Sequence, residues 1–363
     1  MGIKKLSRNA ILTANIVAIV LMLAVGYSDR INPAEHATLA VAGLAFPVLL
    51  AVNVGFLLFW LVTKPRLVIV PFIGFLICYE PVREYTPVNI RRDVPEKSIK
   101  VLSYNVWMFA GWDDGDSTKN PILDYIVAQN ADIVCLQEAS AAEVGLEKIK
   151  KTLYAHYRYH DMEYPDSAKK GTCVAVYTRY PIVGKERIRY KSTGNMSMAY
   201  WLDIDGERVL LVNNHLETTG FSPEQKEKFH QLVKGEMETD TAEATSKWLM
   251  VKLAEGMRKR APEADAVARY VARKGKGHPV ILCGDFNDSP ISYAHHTIAS
   301  QLTDCYIATG NGPGISYHRM GFFVRIDNIM CSEHFEPYGC RIDRSISNSD
   351  HYPIMCWLKR RGK

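Results

Sequence analysis

A chain of 363 residues with 47% hydrophobic side chains, six Trp and nineteen Tyr carries enough apolar material for one large domain and an appendage, which excludes intrinsic disorder. Its 44 Lys and Arg stand against 39 Asp and Glu, and most of that excess falls before residue 98, leaving the remainder nearly neutral. Tight, sequence-independent grip on nucleic acid needs clustered cations that displace counterions, and this balance gives it no support.

The N-terminal segment predicts a membrane anchor. Residues 10–27, AILTANIVAIVLMLAVGY, form an apolar run broken only by Thr13 and Asn15, close to the roughly 20 residues that cross a bilayer. Lys4, Lys5 and Arg8 before it would also suit a cleaved signal peptide, but the longer run at 37–62 would still anchor the chain. A third uncharged run, 67–79, is short for a full crossing. Lys64 and Arg66, like the leader cations, favour the cytoplasmic face, so three crossings would put everything after residue 80 outside. Arg83, Arg91 and Arg92 pull the other way if the third run only dips into the bilayer. The expectation is a multi-pass protein of the inner membrane: an anchor of two or three transmembrane helices over 1–80, a linker over 81–98, and a domain over 99–363 on the extracytoplasmic side.

From residue 98 the pattern changes. Short apolar runs predict strands at 99–107, 132–138, 172–178, 198–205, 208–216, 279–286, 325–332 and 352–358. Between 222 and 276 the spacing predicts a long, mostly helical crossover. Trp248, Leu249, Leu253 and Met257 mark one helix, and Pro262 suits the first turn of a second that Gly275 closes. The eight Cys are scattered without paired spacing, as expected of buried thiols acting as small hydrophobes; a Cys305–Cys340 bridge would need an oxidising compartment. His295, His296, His318 and His334 read as ordinary surface or loop residues.

Chemistry concentrates where apolar runs stop. PVILCGDFNDSP (279–290) ends on Asp285 and Asn287, which alone would be a strand-to-loop corner. The same thing recurs elsewhere: VLSYN ends on Asn105, IVCLQE on Glu138, VLLVNNH on His215, and FFVRID delivers Asp327. NSDHYPI places Asp350 and His351 just before the last strand. Polar groups at one end of several packed strands converge on one rim, where a rigid sheet holds them better than a loop does.

In that order, SYNVW, LQE, NNHLE, GDFND, RIDNI and SDHYPI resemble the motifs of the endonuclease, exonuclease and phosphatase superfamily, the DNase I-like proteins, over residues 98–360. The resemblance implies an α+β fold, a four-layer α/β/β/α sandwich of two mostly antiparallel sheets. It implies that Glu138, Asp350 and Asn105 surround a metal ion and the phosphate. Carboxylate oxygens suit Mg²⁺, with Mn²⁺ as the alternative. Asp285 and Asn287 would activate and orient the attacking water, Asp327 would fix a protonated His351, and His215 would contact a phosphate oxygen. The expected activity is metal-dependent hydrolysis of a phosphate ester. With an anchor and a neutral domain, the expected partners are the lipid bilayer and a lipid-linked or membrane-surface substrate; the alternative is a DNA or RNA nuclease. A non-catalytic binding module is a third reading, which the full set of site residues argues against. The layout is similar to that of teicoplanin-resistance membrane proteins of the superfamily, and no protein partner is implied.

Overall fold

The apolar runs after residue 98 become strands whose successive side chains feed different layers, because a strand covered on both faces has no solvent side to keep polar. In the computed structural model, residues 2–110, 119–142, 144–165, 172–192, 194–319 and 321–362 are described, without the side chains of residues 2–5 and 223. The leader cations Lys4 and Lys5 therefore lie outside the described side chains.

The strands are β1 (Ile99–Asn105), β2 (Ile133–Gln137), β3 (Tyr159–Glu163), β4 (Val174–Thr178), β5 (Ile182–Ile188), β6 (Met196–Ile204), β7 (Glu207–His215), β8 (Val280–Asp285), β9 (Thr303–Asp304), β10 (Asp327–Cys331), β11 (Phe335–Ile342) and β12 (Ile354–Arg360). One six-stranded sheet has the order β11-β12-β1-β2-β4-β3, and the other β5-β6-β7-β8-β10-β9. Pairing is antiparallel except for β1 with β2 and β7 with β8.

The helices are α1 (Gly2–Gly26), α2 (Pro33–Ala40), α3 (Phe46–Thr63), α4 (Ile69–Ile77), α5 (Tyr79–Tyr85), α6 (Pro121–Gln129), α7 (Leu146–Ile149), α8 (Pro223–Lys234), α9 (Thr239–Lys274), α10 (Tyr293–Ala299) and α11 (Cys305–Thr309). Val101, Ile133, Cys135 and Val176 of the first sheet meet Tyr200, Leu211, Ile281 and Cys283 of the second. Their neighbours in sequence face outward: Leu102 and Val134 pack under Ile122 and Ile126 of α6, while Leu210 and Leu282 pack under Val267 and Val271 of α9. Helix, sheet, sheet and helix thus form four layers. Gln137 Nε2 donates to Asn213 Oδ1 at 2.7 Å, clasping the two sheets beneath the rim of polar residues.

Two sequence expectations need correction. Pro262 does not open a helix; α9 runs through it as one element, held by buried Arg260 and Glu263 on the turn around it. Proline forfeits one intrahelical bond there, and the tertiary contacts override the break. His295 is no surface residue: it is 1% exposed and bonds Asp304 through Nε2 at 2.8 Å. All eight Cys are free and buried, and Cys305 Sγ has Cys331 Sγ at 3.8 Å, so no Cys305–Cys340 bridge forms.

At the N-terminus, Leu6–Arg30 and Pro33–Thr63 are each long and apolar enough to cross a membrane, and Pro65–Ile77 joins Tyr79–Tyr85 at a 72° bend. Two buried amides make one bond or more each inside the bundle: Trp60 Nε1 donates to Asn15 Oδ1 at 3.1 Å, and Asn53 Nδ2 to the Ala18 carbonyl at 3.1 Å, while Asn15 Nδ2 and Asn53 Oδ1 are buried without a partner. Gly74 lies against Ile19 and Gly26 against Pro81, so α4 runs beside α1 in the same direction. The first third of the second apolar run does not stand free, because Ala40 and Val41 cluster with Met257 of α9. The stretch read as linker starts inside α5 and then extends along α11, where Asn89 Nδ2 donates to the carbonyls of Ile307 and Gly310.

Candidate active site

Strand register brings the polar endings together. Asn105 closes β1 opposite Gln137 of β2, and Glu138 follows at once with a left-handed φ of 50°. His215 at the end of β7 pairs with Asp285 at the end of β8, and Asp285 in turn faces Asp327 at the start of β10. Asp350 and His351 precede β12. Gly284 permits this packing: a Cβ there would lie 2.0 Å from the Asn214 carbonyl oxygen, and its φ of 144° suits no other residue.

Asn105 Nδ2 bridges two carboxylates, 3.0 Å from Asp285 Oδ2 and 3.4 Å from Glu138 Oε1, while its Oδ1 accepts from the Trp107 amide at 3.2 Å. His351 Nδ1 lies 2.8 Å from Asp327 Oδ2, and its Nε2 lies 3.7 Å from Asp285 Oδ2. His215 Nε2 sits 3.7 Å from both Glu138 Oε1 and Asp285 Oδ2, and neither ring nitrogen has a hydrogen-bond partner. Asn287 donates its amide N–H to Asp285 Oδ1 at 2.8 Å and its Nδ2 to the Leu216 carbonyl at 3.0 Å. That fixes the side-chain carbonyl of Asn287 as an acceptor beside the Asp285 carboxylate. Asp350 is buried and close enough for its charge to act on Glu138. All eight residues expected from the sequence lie on this one rim.

Burial sets the electrostatics. It pushes Glu138 up to about 7, helped by the negative charge of Asp350, and it also raises Asp285. For His351 burial opposes the charged ring, but Asp327 and Asp285 outweigh it and lift the imidazole to about 10. His215 moves the opposite way, to about 4, because burial and the charge of His351 both disfavour its protonation. One histidine is therefore cationic and the other neutral at neutral pH.

The donor set fits a divalent metal. Glu138 and Asp285 share the Asn105 amide and Asp350 adds its charge beside Glu138, so acidic oxygens crowd the rim; protonated His351, within 4.8 Å of Asp285 and Asp327, offsets part of that charge and is not itself a ligand. Carboxylates held together against their own repulsion and away from water are stabilised by a doubly charged cation.

The walls come from α9 and from a segment that gave no signal in the sequence. Arg260, 1% exposed, donates from Nε to Asp288 Oδ2 at 3.0 Å and from Nη1 to the Glu217 carbonyl at 3.1 Å, tying down the loops after β7 and β8. Glu263 Oε2 accepts from the Glu217 amide at 2.7 Å. Across the rim, Tyr317 stands edge-on to His351 with centroids 5.1 Å apart, and Lys226 Nζ donates to its hydroxyl at 3.3 Å. Arg319 covers Trp107 at 4.4 Å. SYHR lies in an irregular stretch with neither strand nor helix periodicity, which is why reading strand ends did not find Tyr317 and Arg319.

A model of the Endonuclease/Exonuclease/phosphatase family matches residues 102–351, a span that holds every one of these groups. The chain belongs to that family. Its members are metal-dependent phosphoesterases and nucleases, so the protein is a hydrolase of this class with the DNase I-like fold. A second model, a domain of unknown function (DUF8431), matches residues 8–85. No curated protein sequence matches the chain. Among solved structures, the human Nocturnin catalytic domain with bound sulfate is similar at 17% identity, with a TM-score of 0.53 over 76% of this chain and 97% of that one. A family protein from Beutenbergia cavernae is 18% identical, with a TM-score of 0.53 over 73% of this chain and 72% of its own. One from Bacteroides thetaiotaomicron is 19% identical, with a TM-score of 0.50 over 73% and 96%. At these identities the likeness is one of fold.

Proposed function

We propose that the protein is a membrane-anchored phosphoesterase that hydrolyses a lipid-linked or membrane-surface phosphate ester by attack of an activated water. The observation that carries this reading is a cationic His351–Asp327 pair and an Asp285–Asn287 pair facing one another across 3.7 Å, attached to helices able to span a bilayer. Asp285 takes the proton of the attacking water, and the Asn287 carbonyl accepts the water's second hydrogen and fixes its direction. His351 Nε2–H donates to a phosphoryl oxygen as negative charge builds, and Asp327 keeps that proton on the ring. Neutral His215 donates one N–H to another phosphoryl oxygen. Glu138 and Asp350 would hold Mg²⁺, or Mn²⁺, which when bound offsets the charge developing on the phosphoryl and leaving oxygens. Asn105 turns its amide N–H₂ to the carboxylates, so we assign it to spacing Glu138 from Asp285 rather than to ligating the ion.

The anchor, residues 1–80, and the catalytic domain, residues 99–363, stay in contact across the short linker at 81–98. Because α4 runs beside α1 in the same direction, Arg8, Lys64 and Arg66 lie at one end of the bundle and the catalytic domain packs at the other. By the positive-inside rule that arrangement favours three crossings and an extracytoplasmic catalytic domain.

The test is hydrolysis by the full chain of polyprenyl pyrophosphate, phosphoinositides, sphingomyelin, duplex DNA and single-stranded RNA, each with Mg²⁺ and with chelator. Turnover of a lipid substrate that chelator stops supports the reading; robust cleavage of DNA or RNA with no lipid turnover makes the protein a nuclease instead.

A further inference from the structure

Where the anchor meets the catalytic domain, three ionisable side chains from three separate segments come together. Asp29 lies in the turn after α1, Glu84 in α5, and His296 in α10 of the catalytic domain. Their ligand atoms lie within 4.8 Å of one another. Asp29 is 3% exposed; its Oδ2 lies 3.1 Å from His296 Nδ1, and its Oδ1 is buried with no hydrogen-bond partner. Glu84 Oε2 is likewise buried without a partner.

The cations nearby are committed elsewhere. Arg30 pairs with Glu80 at 2.7 Å and covers Tyr27. Arg325 pairs with Asp304 at 2.7 Å, bonds Asn328, and reaches the Glu84 backbone carbonyl rather than its carboxylate. His295, next to the cluster, also points to Asp304. Buried Asp29 and partly buried Glu84 thus share one imidazole, and one oxygen of each is shut away from water without gaining a donor. A cation that accepts oxygen and nitrogen together satisfies both oxygens.

We propose that Asp29, Glu84 and His296 form a second divalent-metal site, distinct from the catalytic one, that fastens the catalytic domain to its membrane anchor. Two carboxylates and one imidazole are the donor set of a three-ligand Zn²⁺ site with one open position, and Mn²⁺ accepts the same set. The site joins segments far apart in sequence, so a bound ion stabilises the docked arrangement of anchor and domain and not either part alone. The proposal does not depend on the catalytic reading, because none of its three residues lies on the catalytic rim.

The experiment uses the full chain in detergent, stripped of metal and titrated with Zn²⁺ and separately with Mn²⁺, with bound metal counted by elemental analysis. Glu138→Gln removes the catalytic ion from the count. In that background one equivalent should remain, and adding His296→Gln or Glu84→Gln should abolish it. Both replacements keep side-chain size, and a circular dichroism spectrum equal to that of the parent shows that the chain is folded. Zn²⁺ should also raise the unfolding temperature of the Glu138→Gln protein and not that of the doubly substituted ones. An equivalent that persists in folded His296→Gln and Glu84→Gln proteins overturns the proposal, as does a Glu138→Gln protein that binds neither metal.

Discussion

Replacing Asp327 by Asn removes the carboxylate that contributes most to keeping His351 charged, in nearly the same volume. Lifting an imidazole from 6.5 to about 10 corresponds to about 5 kcal/mol in favour of the protonated ring. Burial pulls the other way, so without Asp327 the ring returns toward or below 6.5, and its protonated fraction at pH 7.5 drops from near one to ~0.1 or less. Activity at pH 7.5 should fall at least ~10-fold, and more if the tautomer is lost as well, since acid–base help of this kind is worth about 10²–10⁴ in rate. The assay is the pH dependence of kcat/KM for a chromogenic phosphodiester with saturating Mg²⁺. The native enzyme should keep its activity up to a limb near pH 10, and Asp327→Asn should move that limb below about 7. Stability gives an independent check of sign. A pKa raised on folding adds stability that is complete below 6.5 and is lost as pH rises through about 10, so the native protein should weaken over that window and Asp327→Asn should not. An Asp327→Asn enzyme with an unmoved alkaline limb would refute the pairing as the source of the charge.

Glu138→Gln should lower kcat by at least ~10², with Mn²⁺ or Mg²⁺ affinity falling in parallel, measured by activity titration against free metal. Gly284→Ala should destabilise the domain by more than about 4 kcal/mol, because the added methyl meets the Asn214 carbonyl 2.0 Å away across the β7–β8 pair; denaturant melts read this directly. Arg260→Leu leaves the Asp288 carboxylate buried and unpaired, so it should cost about 3–5 kcal/mol and loosen the loop that carries Asn287, with kcat falling more than KM rises. A reporter fused after residue 363 that works only outside the cytoplasm is the expected result for three crossings, and one active only inside reverses the orientation.

The parts legible in the sequence are those where one physical demand dominates. β1, β2, β4, β6, β7, β8, β10 and β12 lie inside the two sheets and are covered on both faces, so they read as apolar runs, and the polar residues at or beside one end of β1, β2, β7, β8, β10 and β12 read as the site. The four strands that gave no signal, β3, β5, β9 and β11, are the four sheet edges. Half-exposed edges such as YHDME and VGKERI use charge to stay unpaired with other chains, which erases the periodicity that would announce them. Arg260 and Arg325 are buried charges whose carboxylate partners lie more than twenty residues away, and His295 is a buried side chain bonded to Asp304 in another element, so nothing local marks them. The same holds for the docking of α2 on α9, which turns part of an apolar run that reads as lipid-facing into a contact with the catalytic domain.

The most direct measurement is anomalous diffraction from crystals of the full chain grown with Mn²⁺. The account predicts a peak on the catalytic rim about 2.0–2.3 Å from a Glu138 oxygen, with Asp285 and His351 Nε2 each within one water of it. An ordered ion that leaves Glu138 unligated, or no ion on this rim when the enzyme is active, would contradict it.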